Sequence, residues 1–86
     1  MDELQNLRAQ IDGIDESIVR LLSSRFETVQ KIAEYKKKNG LAVYMPDRET
    51  EVVRKISEMT EKPEQKEYIL RIYAEILKAS RAAQNV

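Results

Sequence analysis

Apolar side chains recur through the first half of the chain at alternating intervals of three and four residues. They are Leu4, Leu7, Ile11, Ile14, Ile18 and Leu21, and the stripe continues through Val29 and Ile32. This spacing is typical of a helix with a narrow apolar seam. Asp2 suits a helix N-cap, and the run KKKNG ending at Gly40 suits a helix C-terminus. The pattern therefore predicts one very long helix ending at this run.

Two prolines divide the rest of the chain into shorter segments. Pro46 and Pro63 each suit the first position of a helix. The second helix carries its apolar face at Val52, Val53, Ile56 and Met59. The third carries it at Ile69, Ile72, Tyr73, Ile76, Leu77, Ala79 and Ala83. The apolar segment 41–45 has no partner strand, so we expect a packed loop. The predicted fold is all-α, with one very long, one short and one medium helix.

The length of the first helix predicts an assembly. Residues 1–86 are expected to form one domain. About 35 helical residues span ~50 Å at ~1.5 Å each, whereas a compact chain of this size is only roughly 30 Å across. The first helix must extend beyond its own globule, and a second copy would have to cover its seam. We therefore expect an intertwined homodimer.

Composition excludes several classes of function. Lysine plus arginine equals aspartate plus glutamate, 15 each, so the chain lacks the basic surface of a nucleic-acid binder. No apolar run approaches the ~20 residues of a membrane span. The polar, acidic start is unlike a secretory signal, so a cytoplasmic protein is expected. Without cysteine or histidine there is no Cys-based zinc site and no usual general base.

Two cations interrupt the apolar pattern of the first helix. Leu4, Ile11 and Ile18 are seven residues apart, and the next step of seven falls on Arg25. Lys36 lies eleven residues beyond Arg25, which is ~20° away around the axis. Both side chains should therefore face one space.

Polar residues also stand on or beside the apolar faces elsewhere. Glu49 opens the face of the second helix beside Arg48, Ser80 and Gln84 lie on the third, and Arg8 borders the first seam. Each alone has an ordinary reading, as a snorkelling cation, a first-turn ion pair or a solvated helix end. Taken together, several cations sharing one interior with a single carboxylate require a counter-ion. A small ligand with at least two negative charges would supply it.

Four sequence segments resemble one family in order and spacing. They are LRAQIDGID, LLSSRFETVQKIAEYK, PDRE and SRAAQ. The chain resembles the all-helical chorismate mutases over essentially its whole length. The resemblance implies an intertwined three-helix dimer with two active sites and no cofactor or metal. The implied reaction is the rearrangement of chorismate to prephenate, on the route to phenylalanine and tyrosine.

The resemblance also implies which residues bind the substrate carboxylates. Arg8 would cross into the partner's site and hold one carboxylate, and Arg25 would hold another within its own chain. Arginine suits this because its planar fork meets a carboxylate bidentately. Ser80 would assist at a carboxylate, and Arg48 would add backbone contacts and positive field.

The remaining implied roles concern the ether oxygen and the ring hydroxyl. Lys36 and Gln84 would be the catalytic donors to the ether oxygen, and Glu49 would accept a hydrogen bond from the hydroxyl. One position departs from the family pattern. Met45 stands where relatives commonly have an aspartate that helps bind the hydroxyl side.

Two other functions fit parts of the same pattern. Elimination of pyruvate from isochorismate uses a similar set of cations on the same fold, although Glu49 favours the mutase. A non-catalytic helical dimerisation module would also carry seam arginines. Many relatives are fused to another pathway enzyme, and the sequence leaves open whether this chain is free-standing or part of one.

Overall fold

A computed structural model describes residues 2–85, and it consists of three helices. Helix α1 covers Glu3–Lys38, α2 covers Pro46–Met59 and α3 covers Pro63–Gln84. Their lengths of 36, 14 and 22 residues follow the predicted order of very long, short and medium. The part of the chain that is described contains no strand. The predicted all-α class and the loop at 41–45 are confirmed.

The two ends of α1 are closed by the residues that the sequence indicated. The Asp2 carboxylate accepts a hydrogen bond of 2.8 Å from the Gln5 amide. At the other end Gly40 has φ +64°, and the Leu41 amide donates to the Lys36 carbonyl at 2.8 Å. Glycine adopts this left-handed conformation without the steric cost of a Cβ. The turn sends the 41–45 loop back across the last turn of α1.

Helix α3 holds the fold together. It packs against both α1 and α2, whereas no Cα atoms of α1 and α2 come within 8 Å of each other in residues 2–85. The buried apolar core is small and draws one side chain from each helix. These are Val29, Ile56 and Leu77. A chain of this size has little apolar surface to bury, and here many apolar side chains of the predicted helix faces remain exposed.

The first half of α1 stands clear of the other helices. The chain measures 56 × 26 × 15 Å and has a radius of gyration of 16.3 Å, against ~12 Å for a compact chain of this length. The apolar side chains of its seam are each between 47% and 55% exposed. They are Leu4, Leu7, Ile11, Ile14 and Ile18. The predicted overshoot of α1 is therefore confirmed, while its cover by a second copy stays a prediction.

The apolar faces of α2 and α3 are less uniform than expected. Ile56 is buried and Val52 half-buried, but Val53 is 39% and Met59 67% exposed. Val53 lies ~100° around the axis from Val52, and Met59 is the last residue of α2 and lies at the open cleft of the α2–α3 turn. On α3, Ile72 is 60% exposed at an open cleft between α3 and α1. No helix within residues 2–85 combines the length and the apolar character needed to cross a membrane.

Candidate active site

A cleft of about 250 Å³ opens between the C-terminal half of α1, the start of α2 and the end of α3. Its volume is slightly below the range of small-molecule sites, which are roughly 300–1,000 Å³. Six of the seven residues singled out from the sequence line it. They are Arg25, Lys36, Arg48, Glu49, Ser80 and Gln84. A larger cleft of about 380 Å³ at the α2–α3 turn holds no comparable cluster of cations.

Arg25 reaches the cleft from α1 and is held by α3. Its Nη1 donates to the Ser80 hydroxyl, which in turn donates to the Ile76 carbonyl at 2.7 Å. Ser80 is buried, with 6% of its surface exposed. A hydroxyl has one proton and two lone pairs, so this arrangement commits the proton to the backbone and an acceptor site to Arg25. Ser80 thereby orients the Arg25 guanidinium.

Lys36 lies at the centre of a second group of hydrogen bonds. Its Nζ donates to the Val43 carbonyl and to Gln84 Oε1, both at 2.8 Å. An ammonium group has three N–H donors, so one donor remains for a ligand. The first bond exists because the Gly40 turn returns the loop over the helix end. The shared position of Arg25 and Lys36 on one side of α1, predicted from their spacing, is confirmed.

Gln84 is oriented by the same contact. Its amide oxygen faces the Lys36 ammonium, so its Nε2 is turned away and donates weakly to the Ser80 carbonyl at 3.3 Å. A primary amide nitrogen carries two N–H donors, and the second is available for a ligand. Lys36 and Gln84 therefore present one open donor each from adjoining positions of the cleft.

Glu49 has a partner that the sequence reasoning missed. Arg81 Nη1 on α3 donates to Glu49 Oε1 on α2, and the Arg81 guanidinium lies 5.1 Å from the centre of the Tyr44 ring. The hydrogen bond with Glu49 raises the pKa of Arg81. Arg81 also lines the cleft. A usable signal was present in the sequence, because Arg81 lies four residues after Leu77 of the predicted apolar face and so shares that face.

Arg48 and Arg8 are placed differently from the other predicted site residues. Arg48 borders the cleft, but its guanidinium donates to Glu51 at 2.6 Å and its side chain is 60% exposed. Lys55, together with Arg48, lowers the pKa of Glu51. Arg8 is exposed on the free half of α1 and does not line the cleft of its own chain. It is 17 residues from Arg25, or ~25 Å along the axis.

The charges of the cleft do not balance within the described chain. Four cations and one carboxylate line it. Glu49 is taken by Arg81, and Arg48 turns to Glu51. The hydrogen-bond partners of Arg25 and Lys36 within residues 2–85 are all neutral oxygens. Two cations therefore face one small space without a counter-ion, which is the electrostatic complement of a dianion.

Met45 brings an apolar side chain to the wall of the cleft. It occupies the N-cap of α2, where it makes no side-chain cap hydrogen bond. An aspartate at an N-cap accepts a hydrogen bond from the first helical turn and adds negative charge there. Met45 supplies neither, so Glu49 is the one carboxylate lining the cleft among the described residues.

Known proteins resemble this chain in sequence and in fold. Residues 7–85 match the family model described as chorismate mutase type II. A bifunctional chorismate mutase/prephenate dehydratase from Aquifex aeolicus is 39% identical over 92% of this chain. That alignment takes in 23% of the relative, so the chain spans about a quarter of its length.

Two solved structures superimpose on almost the whole chain. A chorismate mutase (form II) from Thermus thermophilus has a TM-score of 0.92 at 33% identity, covering 98% of this chain and 96% of its own. A chorismate mutase from Helicobacter pylori in complex with prephenate has a TM-score of 0.84 at 36% identity. That match covers 95% of this chain and 89% of the other.

Proposed function

The chain belongs to the chorismate mutase type II family, and on this premise we propose that it converts chorismate to prephenate. The observation that carries the proposal is the pair of cations, Arg25 and Lys36, whose hydrogen-bond partners among the described residues are all neutral. Chorismate carries two carboxylates. The solved relative that holds prephenate supports a site of this kind on this fold.

The reaction needs little from the protein beyond shape and charge. In the rearrangement one C–O bond breaks as one C–C bond forms, within a single molecule. The substrate must be held in its compact reactive conformation, and the negative charge that grows on the ether oxygen must be stabilised. Neither task requires a nucleophile or a proton transfer, so a chain without cysteine or histidine can perform both.

Carboxylate binding falls to the arginines. Arg25 presents a planar fork that is already oriented by Ser80 and suits a bidentate contact. Ser80 serves the carboxylate through Arg25, because its own proton is held by the Ile76 carbonyl. Arg8 of a second copy would reach the other carboxylate, and Arg48 at the rim adds positive field.

The open donors of Lys36 and Gln84 suit the ether oxygen. An ether oxygen has two lone pairs, and the cleft offers one cationic and one neutral N–H from adjoining positions. Such donors act most strongly on charge that develops during the reaction, since they are in place before it begins. Glu49 Oε1 is engaged by Arg81, which leaves its second oxygen to accept from the ring hydroxyl.

We further propose that two copies assemble with their α1 helices side by side. The half-exposed seam of α1 is an apolar stripe that the chain's own helices do not cover. Arg8 lies on the same free half of α1, far from the cleft of its own chain. A second copy would therefore bury the seam and bring Arg8 to the other cleft. The expected mass is twice the 10.0 kDa of one chain.

Complementation between two inactive variants tests this sharing of sites. Arg8→Ala and Arg25→Ala damage different halves of each site, so each variant alone should be inactive. After mixed refolding, half of the dimers should be mixed, and each should hold one intact site out of two. About a quarter of wild-type turnover should return. If no activity returns although mixed dimers form, both arginines act within one chain.

The activity itself is tested with purified protein and chorismate. Chorismate absorbs in the ultraviolet where prephenate absorbs much less, so turnover appears as a loss of absorbance, and the product is identified by NMR. Isochorismate with pyruvate detection serves as the parallel assay for the lyase. A folded dimer that consumes no chorismate would refute the proposed function, and pyruvate release from isochorismate alone would replace it.

A further inference from the structure

The ion pair between Arg81 and Glu49 differs from the other ion pairs of the described chain. Each of the other five joins residues three or four apart on one helix, and all their side chains are at least 45% exposed. Arg81 and Glu49 are 32 residues apart, and their side chains are 35% and 22% exposed. This pair links α2 to α3 at the wall of the cleft.

Tyr44 contributes a second contact to the same guanidinium. Its ring centre lies 5.1 Å from Arg81 Cζ, within the range of cation–π attraction. Tyr44 belongs to the 41–45 loop and lies two residues before Pro46, where α2 begins. Arg81 thus bonds one residue of the first turns of α2 and stacks on the segment leading into α2. These two contacts restrain where the N-terminal end of α2 lies relative to α3.

The consequence for Glu49 is geometric. A glutamate has three rotatable side-chain bonds, and ordering such a side chain costs conformational entropy when nothing restrains it beforehand. Arg81 holds Oε1, and Oε2 has no hydrogen-bond partner within residues 2–85. The Glu49 carboxylate is therefore oriented before a ligand binds, and its Oε2 remains available to accept a hydrogen bond. The positive charge of Arg81 is neutralised by its ion pair with Glu49, so Arg81 adds little attraction for the anionic groups of a ligand.

We propose that Arg81 and Tyr44 are positioning residues, which hold the Glu49 carboxylate at the wall of the cleft with one oxygen directed to the ligand. The proposal rests on the function proposed above, in which that oxygen accepts a hydrogen bond from the substrate hydroxyl. It assigns to Arg81 a role that acts through Glu49, without contact between Arg81 and the reacting atoms. With Met45 in place of a second acid, this one carboxylate carries the hydroxyl contact.

A double-mutant cycle on Arg81 and Glu49 tests the proposal. Arg81→Met should lower kcat/KM by on the order of 10–100-fold, because misplacing a binding group by about 1 Å has effects of this size. In the Glu49→Gln background, Arg81→Met should lower kcat/KM by less than about threefold, because the carboxylate that Arg81 positions is already absent. Tyr44→Leu should give a smaller loss of the same kind, and Tyr44→Phe should restore near wild-type kinetics because it keeps the aromatic face.

Arg71 provides a matched control on the same helix. It donates to Glu67, and its guanidinium lies 5.8 Å from the centre of the Tyr68 ring. Arg71→Met therefore removes an ion pair and an aromatic contact of the same types, outside the cleft. Its kcat and KM should match those of the wild type. Circular dichroism and thermal unfolding of every variant show whether the helices persist. If Arg81→Met fails to fold, the kinetics of Tyr44→Leu test the proposal instead.

The outcomes separate this inference from the proposed function. A wild-type protein without turnover contradicts the function and removes the basis of the inference. An active wild type in which Arg81→Met costs as much in the Glu49→Gln background as in the wild type overturns the inference alone, since Arg81 then acts on the substrate directly. Unchanged kinetics with a lowered Tm would also overturn it, since the pair would then only stabilise the fold.

Discussion

Replacing Lys36 by alanine removes one cation and three N–H donors from the cleft. Two of those donors are bonded at 2.8 Å to the Val43 carbonyl and to Gln84 Oε1. The third is the one that we assign to the ether oxygen of the substrate. Alanine has the highest helix propensity, so α1 should continue through this position. The substitution therefore changes the chemistry of the cleft and leaves its scaffold in place.

The expected loss of rate follows from what the third donor does. Removing one preorganised donor to a developing negative charge costs roughly 2.7–4 kcal/mol, or ~10²–10³ in kcat. A charged donor forms a hydrogen bond about twice as strong as a neutral donor does. Because Lys36 is charged, its removal should lower kcat by at least the largest factor in this range. Gln84 also loses the contact that orients its amide. We therefore expect at least a ~10³-fold fall in kcat, with a raised KM because the ligand is anionic.

The expected cost to stability is much smaller. The carbonyl and amide oxygens that lose the ammonium would cost about 1–3 kcal/mol each if they stayed dry and unpaired. Lys36 is only half-buried at the open side of the cleft, so water can replace it. The free energy of unfolding should fall by no more than ~1 kcal/mol, and the assembly should keep its mass.

Steady-state kinetics on chorismate, sedimentation and thermal unfolding measure these three quantities. Lys37→Ala is the control, since it removes the same charge from the adjacent, exposed position and should leave kcat unchanged. Near-normal turnover of the Lys36→Ala variant would refute its assignment as the ether-oxygen donor. A loss of activity that accompanies a loss of helix would show a structural role instead.

Two further predictions concern Gln84 and the glycines. The Gln84 amide does not ionise, so wild-type turnover should stay nearly constant from about pH 5 to 9. The Gln84→Glu variant should lose ~10²–10³ in kcat as rising pH removes the carboxyl proton that it would donate. A flat pH profile for this variant would contradict the role of Gln84 as a donor. Gly13→Ala should stabilise α1 by up to ~1 kcal/mol, because the added Cβ would meet nothing within 4 Å among residues 2–85 apart from its own stretch of helix. Gly40→Ala should destabilise by ~1–2 kcal/mol, because its φ is +64°; shifts in Tm of the same sign for both would refute this reasoning.

The sequence by itself determined the helices and the directions of side chains along each one. Residues on one helix share a fixed geometry, so the eleven-residue step from Arg25 to Lys36 was enough to place both on one side. The start of α1 at Asp2 and its end at Gly40 are equally local, and both were predicted. The free half of α1 followed from the length of the helix compared with the size of the chain.

The tertiary structure decided which helix each polar side chain meets. Arg48 and Glu49 are neighbours in sequence and suggested a pair, yet Arg48 bonds Glu51 on its own helix while Glu49 bonds Arg81 on α3. The Val43 carbonyl joins the site only because the loop folds back over Lys36. Periodicity gives the angle around one axis, but it does not give the distance between two axes. The pairing of Glu49 with Arg81, and hence the charge left unbalanced in the cleft, depends on that distance.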